Sequence, residues 1–243
     1  MNLRLDIAYD GTDFLGWQIQ ADSRTIQHEM TVALSRLDEQ PVTLHGAGRT
    51  DAGVHALGQV ASAGLSKDRE PDEIRRALNG VLPRDIRIKS ATSAPPQFNA
   101  RFDAKQKTYR YQLWTGEVMN PLLNRFAWHY PFPLDDETLA SESSMFVGTH
   151  DFTAFTVSDA EAGSRTRTIL DVRIDRNEDL LVIEFSGEGF LRYQIRTMVS
   201  ALVEGNRGRL GNVSMRELIE RRDRSLAGRM APAKGLTLMK VGY

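Results

Sequence analysis

A glycine-rich loop at residues 46–56 carries residue types that could do chemistry. One carboxylate, Asp51, and one guanidinium, Arg49, lie among its three glycines. Glycine has no Cβ, so such a loop can bend tightly and let a large partner approach its backbone. Asp51 would then project from the bend into a cleft, where a reactive carboxylate would be useful. The alternative is that Asp51 only caps a turn, the commoner role of an aspartate in such a loop.

A second candidate is a basic and aromatic segment at residues 98–114. It contains one acid, Asp103, beside four cations and five aromatic rings: Arg101, Lys105, Lys107, Arg110, Phe98, Phe102, Tyr109, Tyr111 and Trp114. Cations that contact phosphates, next to rings that stack on bases, are typical of RNA binding. The same pattern fits a strand with a solvated basic face and a packed aromatic face. The residues alone leave both interpretations open.

Several familiar catalytic and cofactor motifs are missing. The loop glycines lack the spacing of a dinucleotide-binding fingerprint, and neither a P-loop nor a serine-hydrolase elbow occurs. The absence of cysteine excludes disulfides, thiol catalysis and cysteine-ligated metal centres. The five histidines, at positions 28, 45, 55, 129 and 150, show no metal-ligand spacing. We therefore expect neither a cofactor nor a metal ion.

Composition and charge predict an ordinary globular protein. Of its 243 residues, 41% are hydrophobic and 26% are charged, which is typical of a soluble protein with a substantial core. The N-terminus lacks the apolar core of a signal peptide, and no stretch is long enough to cross a membrane. Together with the lack of cysteine, this favours a cytoplasmic protein. A formal net charge of -1 means that bulk charge does not indicate a nucleic-acid partner.

Hydrophobic periodicity predicts the elements that position these residues. The first part of the chain follows the order βαββαβ. Its predicted strands lie at 3–9, 42–44, 58–61 and 86–88, with the Asp51 loop between the second and third. One helix begins after Thr25 as N-cap and carries an apolar stripe to Leu37, and another begins at Pro71.

The second part of the chain repeats that order without repeating the sequence. The predicted strands are 108–114, 166–174, 180–185 and a closing strand at 236–241, and the predicted helices are 134–146, 190–204 and 214–223. Arg192 and Arg196 fall at the margins of the apolar face of the 190–204 helix.

These orders predict an α+β protein of two ferredoxin-like halves. Each half would have an antiparallel sheet covered by helices on one face, with an active-site cleft between the halves. Two prolines within residues 93–97 favour an extended connection, so we divide the chain into residues 1–95 and 96–243.

Seven short blocks of sequence span almost the whole chain: YDGTDFLGWQ at 9–18, GRTDAGVH at 48–55, FNARF at 98–102 leading to Tyr109, HDF at 150–152, SRT at 164–166, FLR at 190–192 leading to Arg196, and APAKGL at 231–236. In this order, the blocks resemble the TruA family of tRNA pseudouridine synthases. The family often carries Asn where this chain has Thr197.

The resemblance implies a cofactor-free isomerase that converts uridine to pseudouridine in the anticodon stem–loop, at tRNA positions 38, 39 or 40. It implies that Asp51 is the nucleophile, because the uracil must detach, rotate and rejoin through C5, which requires a group that attacks and then leaves. Whether the carboxylate adds to the uracil ring or to the sugar stays open.

The resemblance also assigns roles to three further residues. Arg196 would lie against the catalytic carboxylate and keep it ionised, Tyr109 would stack on the flipped base, and Arg49 would contact RNA or hold the flipped nucleotide. From the pattern alone, Arg196 could instead be a helix-surface residue, Tyr109 a core residue and Arg49 a residue that stabilises its loop.

A different class of function is a non-catalytic RNA-binding module of ferredoxin-like domains. A pure binder has no use for a carboxylate on an RNA-facing loop, since the carboxylate repels phosphates. We therefore favour the enzyme, with tRNA as its partner and, by resemblance, a homodimer as its assembly.

Overall fold

A computed structural model of the chain describes residues 1–157, 163–211 and 213–243. Those residues form an α+β protein. The strands are β1 (Asn2–Tyr9), β2 (Leu44–Gly46), β3 (His55–Gly64), β4 (Ile86–Ala94), β5 (Gln106–Trp114), β6 (Trp128–His129), β7 (Gly148–Asp151), β8 (Thr166–Asn177), β9 (Leu180–Gly187) and β10 (Leu236–Gly242). The α-helices are α1 (Ile26–Asp38), α2 (Pro71–Val81), α3 (Asp136–Ser144), α4 (Gln194–Asn206) and α5 (Met215–Arg221).

The chain divides into two compact units. Unit 1 comprises Met1–Lys105 and Thr237–Tyr243, and unit 2 comprises Gln106–Leu236. This division differs from the one expected from sequence, because residues 96–105 and the closing strand belong with the N-terminal elements. The closing strand, β10, belongs to unit 1 because it pairs in parallel with the start of β3.

Unit 1 has the predicted order βαββαβ. Its strands β4, β1, β3 and β2 are neighbours in that sequence, and all three pairings are antiparallel. Periodicity placed β1 and both helices correctly. It underestimated β3, which begins at His55 directly after the Asp51 loop, and it placed β2 two residues too early.

The core of unit 1 lies between the sheet and its two helices. The alternation in β1 buries every second residue, and α1 and α2 each contribute an apolar stripe. Thr25 caps α1 as predicted, with its side chain accepting a hydrogen bond from the backbone N–H of His28. The fully buried side chains from these elements are Leu3, Leu5, Ile7, Ile26, Met30, Leu34, Ile74 and Leu78.

Unit 2 contains the strand order β6, β5, β9, β8, β7, with the β5–β9, β9–β8 and β8–β7 pairs antiparallel. Its principal helix, α4, begins at Gln194 and not at residue 190 as expected. The backbone of Tyr193 turns left-handed there, with φ 65°, and the side chain of Gln194 accepts a hydrogen bond from the N–H of Leu191. The turn at Tyr193 and this hydrogen bond set Gln194 as the first residue of the helix.

Helix α4 is buried on all sides over residues 194–203. The helix-surface position that the pattern alone allowed for Arg196 is therefore wrong, because this helix has no exposed face along that stretch. Within the described part of the chain, no helix is both long and apolar enough to cross a membrane.

Candidate active site

Backbone hydrogen bonds from residues 9–18 hold the Asp51 loop in place. The N–H of Trp17 donates to the carbonyl of Thr50 at 3.0 Å, and the N–H of Gly53 donates to the carbonyl of Phe14 at 3.2 Å. The loop closes on itself where the N–H of Val54 donates to the carbonyl of Asp51 at 3.1 Å. Two sequence blocks that lie far apart along the chain thus form one structural unit.

Two glycines in the 9–18 block allow this contact. A Cβ on Gly16 would lie 2.6 Å from the carbonyl oxygen of Thr50, and Gly16 also has φ +90°. A Cβ on Gly11 would lie 1.9 Å from the carbonyl oxygen of Val54. Real side chains do not approach backbone so closely, so only glycine permits the two segments to meet.

A buried polar chain fixes the centre of the loop. Gln59 on β3 donates through Nε2 to the carbonyl of Gly48 at 2.9 Å and to the Tyr9 hydroxyl at 3.3 Å. The Tyr9 hydroxyl and Thr50 Oγ1 share a further bond of 2.8 Å. Burial raises the pKa of Tyr9 to about 12, so its phenol stays protonated at neutral pH and keeps this network intact.

His55 ties the end of the loop to the N-terminal block. The N–H of Gly11 donates to its Nδ1 at 3.0 Å, and Oδ1 of Asp10 lies 3.1 Å from the same atom. The ring is buried at the first position of β3. We assign His55 a role in holding the loop, which its lack of metal-ligand spacing in the sequence did not indicate.

The loop presents its two predicted site residues differently. Asp51 is half-buried, whereas Arg49 is exposed. Arg49 donates through Nε to Oε1 of Gln18 at 3.1 Å, which ties it to the other block. The structure therefore places both residues on one braced loop of unit 1.

Arg196, in unit 2, is held by a short segment at residues 231–236. Its Nε donates to the carbonyl of Ala231 at 2.8 Å, and its own carbonyl accepts from the N–H of Ala231 at 3.2 Å. Its guanidinium also lies 5.6 Å from the centre of the Tyr193 ring. Only 9% of Arg196 is exposed, so the sequence block that contains Ala231 orients a buried cation.

Tyr111 fixes that same segment. Its hydroxyl donates to the carbonyl of Pro232 at 2.8 Å, and a Cβ on Gly235 would lie 2.5 Å from its ring. Burial raises the pKa of the Tyr111 phenol, against an opposing effect from Arg196. The phenol therefore remains a donor, and the chain from Tyr111 through residues 231–236 to Arg196 is continuous.

Tyr109 lies on β5 in unit 2, opposite Phe185 of β9. It shares the buried face of β5 with Tyr111, and 7% of it is exposed. The ring of Phe190 meets it edge-on, with centroids 5.4 Å apart.

Sequence reasoning did not single out Tyr193. Its left-handed backbone is costly for a non-glycine residue. Its ring lies near two guanidinium groups, and its hydroxyl accepts a bond of 2.7 Å from Arg192. Only the backbone geometry reveals Tyr193, since its sequence neighbours suggest an ordinary helix.

Thr197, the departure from the family pattern, is fully buried, and its Oγ1 has no hydrogen-bond partner among the described residues.

No cluster of three or more His, Asp or Glu side chains placed to hold a metal ion occurs in residues 1–157, 163–211 and 213–243. The arrangement in hand is a half-buried carboxylate on a braced loop in one unit, and a buried, oriented arginine in the other.

Comparison with known proteins gives consistent matches. The family model for tRNA pseudouridine synthase matches residues 7–103 and 143–243. The chain is 42% identical over 245 residues to tRNA pseudouridine synthase A of Limosilactobacillus fermentum, covering 99% of this chain and 95% of that protein. It is 40% identical over 242 residues to tRNA pseudouridine synthase A of Acetivibrio thermocellus, covering 100% and 99%.

A solved structure, described as a Cbf5-Nop10-Gar1 complex, aligns with a TM-score of 0.38 and 12% identity. The alignment covers 98% of this chain but only 49% of the other, so this chain spans about half of that protein. So remote a likeness says nothing about function. The family model and the full-length relatives do, and on their strength the chain belongs to the tRNA pseudouridine synthase family.

Proposed function

We propose that this chain isomerises uridine to pseudouridine in the anticodon stem–loop of tRNA, at positions 38, 39 or 40, with Asp51 as the nucleophile. Family membership supports the reaction and tRNA as its substrate. It also favours an enzyme over a non-catalytic RNA-binding module. The positions in the stem–loop and the role of Asp51 come from the resemblance of the sequence blocks.

The reaction sets the demands on the site. The bond between N1 of uracil and C1′ of the ribose breaks, and a bond between C5 and C1′ forms. The hydrogen on C5 leaves as a proton and N1 gains one, so no electrons are exchanged. A nucleophile that forms a covalent bond and later leaves divides this rearrangement into easier steps.

The observation that carries the proposal is the bracing of the Asp51 loop. Backbone hydrogen bonds from Trp17 and Gly53, and the buried chain through Gln59, leave the loop little freedom. A reactive group held in one geometry reacts faster than one that must be ordered at each turnover. A turn-capping aspartate alone would not need a second segment of chain, residues 9–18, hydrogen-bonded to its loop.

Arg196 is proposed as the cation that keeps the catalytic carboxylate ionised. A carboxylate enclosed away from water requires a nearby positive charge to remain charged. A guanidinium suits this role because it is permanently protonated and can bind a carboxylate through two parallel bonds. The hydrogen bond from Arg196 to the carbonyl of Ala231 supports this assignment. A side chain that is already held in one orientation loses little conformational entropy when it binds a carboxylate.

Tyr109 and Arg49 are proposed to handle the RNA. A base withdrawn from its helix regains stacking on an aromatic face, which is the role of Tyr109. Arg49, exposed on the Asp51 loop, would contact a phosphate or hold the flipped nucleotide.

At the level of architecture we propose two ferredoxin-like halves with the active site in a cleft between them, the N-terminal half supplying Asp51. The strand order β4–β1–β3–β2 of unit 1 supports the first half of this proposal. A homodimer, in which one subunit orients the tRNA for the other, completes it.

Replacement of Asp51 tests the proposal directly. Asp51→Asn and Asp51→Ala should abolish isomerisation, because neither side chain can form the covalent intermediate, yet tRNA affinity should change little. The measurement is tritium release from tRNA labelled at uridine C5, since moving the bond to C5 expels that hydrogen. Pseudouridine would then be mapped by position in the reacted tRNA.

Asp22→Asn provides the matched control. Asp22 is an exposed aspartate in a left-handed turn, a backbone conformation that Asn also tolerates. This variant should release tritium at the parent rate. Substantial release by either Asp51 variant would remove Asp51 as nucleophile, and pseudouridine outside positions 38–40 would overturn the assigned location.

A further inference from the structure

The loop that follows β4 carries a strongly exposed aromatic ring. Phe102 is 78% exposed, although side chains of its size and apolarity are normally buried. It belongs to the basic and aromatic segment noted in the sequence, and the roles proposed above for Tyr109, Asp51 and Arg196 do not use it.

Phe102 is exposed on a rigid loop. The Asn99 N–H donates to the carboxylate of Asp103 at 2.8 Å, and the Asp103 N–H donates back to the carbonyl of Asn99 at 3.1 Å. Ala100 anchors the loop on both sides: its N–H donates to Ser62 Oγ at 3.0 Å, and its carbonyl accepts from the hydroxyl of Tyr243 at 2.8 Å. These hydrogen bonds fix the backbone from which the exposed ring of Phe102 projects.

A groove runs beside the ring. Its volume is about 440 Å³, within the roughly 300–1,000 Å³ of known small-ligand sites. Two further rings, Phe98 and Tyr243, lie 5.1 Å apart at its wall. The groove is lined by Phe98, Phe102, Asp103, Ala104, Lys105 and Tyr243, and we call it the Phe102 groove.

Cationic side chains lie beside these rings, and one of them, Arg4, is paired with Asp6 at 3.1 Å. The guanidinium of Arg101 lies 5.7 Å from the centre of the Phe102 ring, and that of Arg4 lies 4.8 Å from the centre of the Tyr243 ring. Lys105 is exposed at the edge of the groove. The acid that lines the groove, Asp103, already accepts the backbone bond from Asn99. Rings with cations beside them match a nucleobase with its phosphate.

We propose that the Phe102 groove binds one unpaired nucleobase of the tRNA, stacked on Phe102, with Arg101 and Lys105 at the adjoining phosphates. This inference rests on the proposed function only in taking tRNA as the substrate. Proteins that recognise RNA commonly target unpaired bases, because these expose a face for stacking.

The groove is separate from the site proposed for the target uridine. Asp51 lies near the start of β3 at His55, because its carbonyl accepts from the N–H of Val54, whereas the Phe102 loop is anchored at Ser62 near the other end of that strand. At about 3.3 Å per residue, the strand separates His55 and Ser62 by roughly 23 Å. Because the two loops are anchored this far apart on β3, we expect the base bound in the groove to be a different nucleotide from the reacting uridine.

Affinity measurements on two RNAs test this. Phe102→Leu should weaken binding of full-length tRNA by roughly 5- to 150-fold, the usual effect of losing one base–aromatic stack. Its affinity for an isolated anticodon stem–loop hairpin should stay within about twofold of the parent. Phe102→Trp should restore tRNA affinity, because it restores a ring. Lys105→Gln should lower the slope of log affinity against log salt by about one phosphate contact.

Val32→Ala, at an exposed apolar position on α1, is the matched control and should change neither affinity. Thermal unfolding of Phe102→Leu should match the parent, since the ring is mostly exposed. Equal losses on both RNAs, no loss on either, or no rescue by Trp would each overturn the proposal. So would dissociation of a dimer by Phe102→Leu in sedimentation without RNA, which would make the groove a protein interface. Single-turnover tritium release at saturating enzyme stays unaffected, so this test is separate from that of Asp51.

Discussion

The orientation of Arg196 depends on contacts made by several other residues. Its guanidinium is fixed through Nε by the carbonyl of Ala231, and the segment that carries Ala231 is fixed in turn by the hydroxyl of Tyr111. Gly235 lets that segment pass against the Tyr111 ring, where no larger residue fits. Lysine could not replace Arg196, because it lacks both the Nε donor and the planar fork that accompanies it.

Tyr109 allows a prediction at the scale of one ring. Tyr109→Phe keeps the aromatic face and should retain appreciable activity. Tyr109→Leu should lose about 1–3 kcal/mol of stacking, expressed mainly in the reaction. Single-turnover tritium release, with tRNA affinity measured separately, distinguishes the two variants.

Two other outcomes would change the assignment of Tyr109. If Phe and Leu variants are both nearly inactive while the Phe variant still binds tRNA, the hydroxyl takes part in proton transfer. If both react like the parent, Tyr109 is a core residue of β5 and stacks on no base. Its low exposure and its edge contact with Phe190 make this comparison decisive.

At the scale of elements, the Asp51 loop depends on close backbone contact with residues 9–18. Gly16→Ala should lower activity strongly and destabilise the protein by about 1–3 kcal/mol. The added Cβ would meet the Thr50 carbonyl at 2.6 Å and the backbone at Asp51 at 3.1 Å, with φ in the left-handed region. Tritium release and chemical denaturation together measure the effect.

Gly80→Ala is the control for that prediction. Gly80 lies in α2, and a Cβ added there would meet nothing within 4 Å. Alanine favours a helix over glycine by up to about 1 kcal/mol, so this variant should be as stable as the parent or more so. If Gly16→Ala behaves like Gly80→Ala, the two segments do not need their close approach.

For the whole molecule, carboxylates at the ends of helices and strands predict sensitivity to acid. Burial by itself would raise the pKa of Asp38, but hydrogen bonds from the N–H groups of Ser66 and Lys67 outweigh it and hold the pKa below its ordinary value. The Thr153 hydroxyl lowers the pKa of Asp151, and the Ser225 hydroxyl lowers that of Asp223.

A carboxyl with a lowered pKa stabilises the fold above the pKa of the unfolded chain, and this contribution disappears as pH falls through the folded value. The free energy of unfolding should therefore decline as the pH drops below about 4, the ordinary range of these groups. Asp38→Asn should be less stable at neutral pH and should lose less on acidification. Denaturant unfolding from pH 7 to pH 2 measures both, and a parallel decline in the two proteins would contradict the role of Asp38.

The sequence alone determined the local structure and the family. Periodicity located β1, α1 and α2, because burial on one face repeats with the period of the element. Thr25 indicated the start of α1, because its side chain can cap the first turn of a helix. The ordered blocks indicated a tRNA pseudouridine synthase, which the family model and relatives confirm. Periodicity, capping residues and short sequence blocks are local features, so they can be recognised without knowing the fold.

The tertiary structure decided which distant segments meet. It joined β10 to β3 and so assigned the closing strand to unit 1, and it placed residues 9–18 beneath the Asp51 loop. It also enclosed α4, which buried Arg196 where the helix pattern predicted a margin. Each depends on hydrogen bonds or packing between residues far apart along the chain. A local pattern shows that a strand edge or helix face needs a partner, but which segment supplies it is decided only when the whole chain folds.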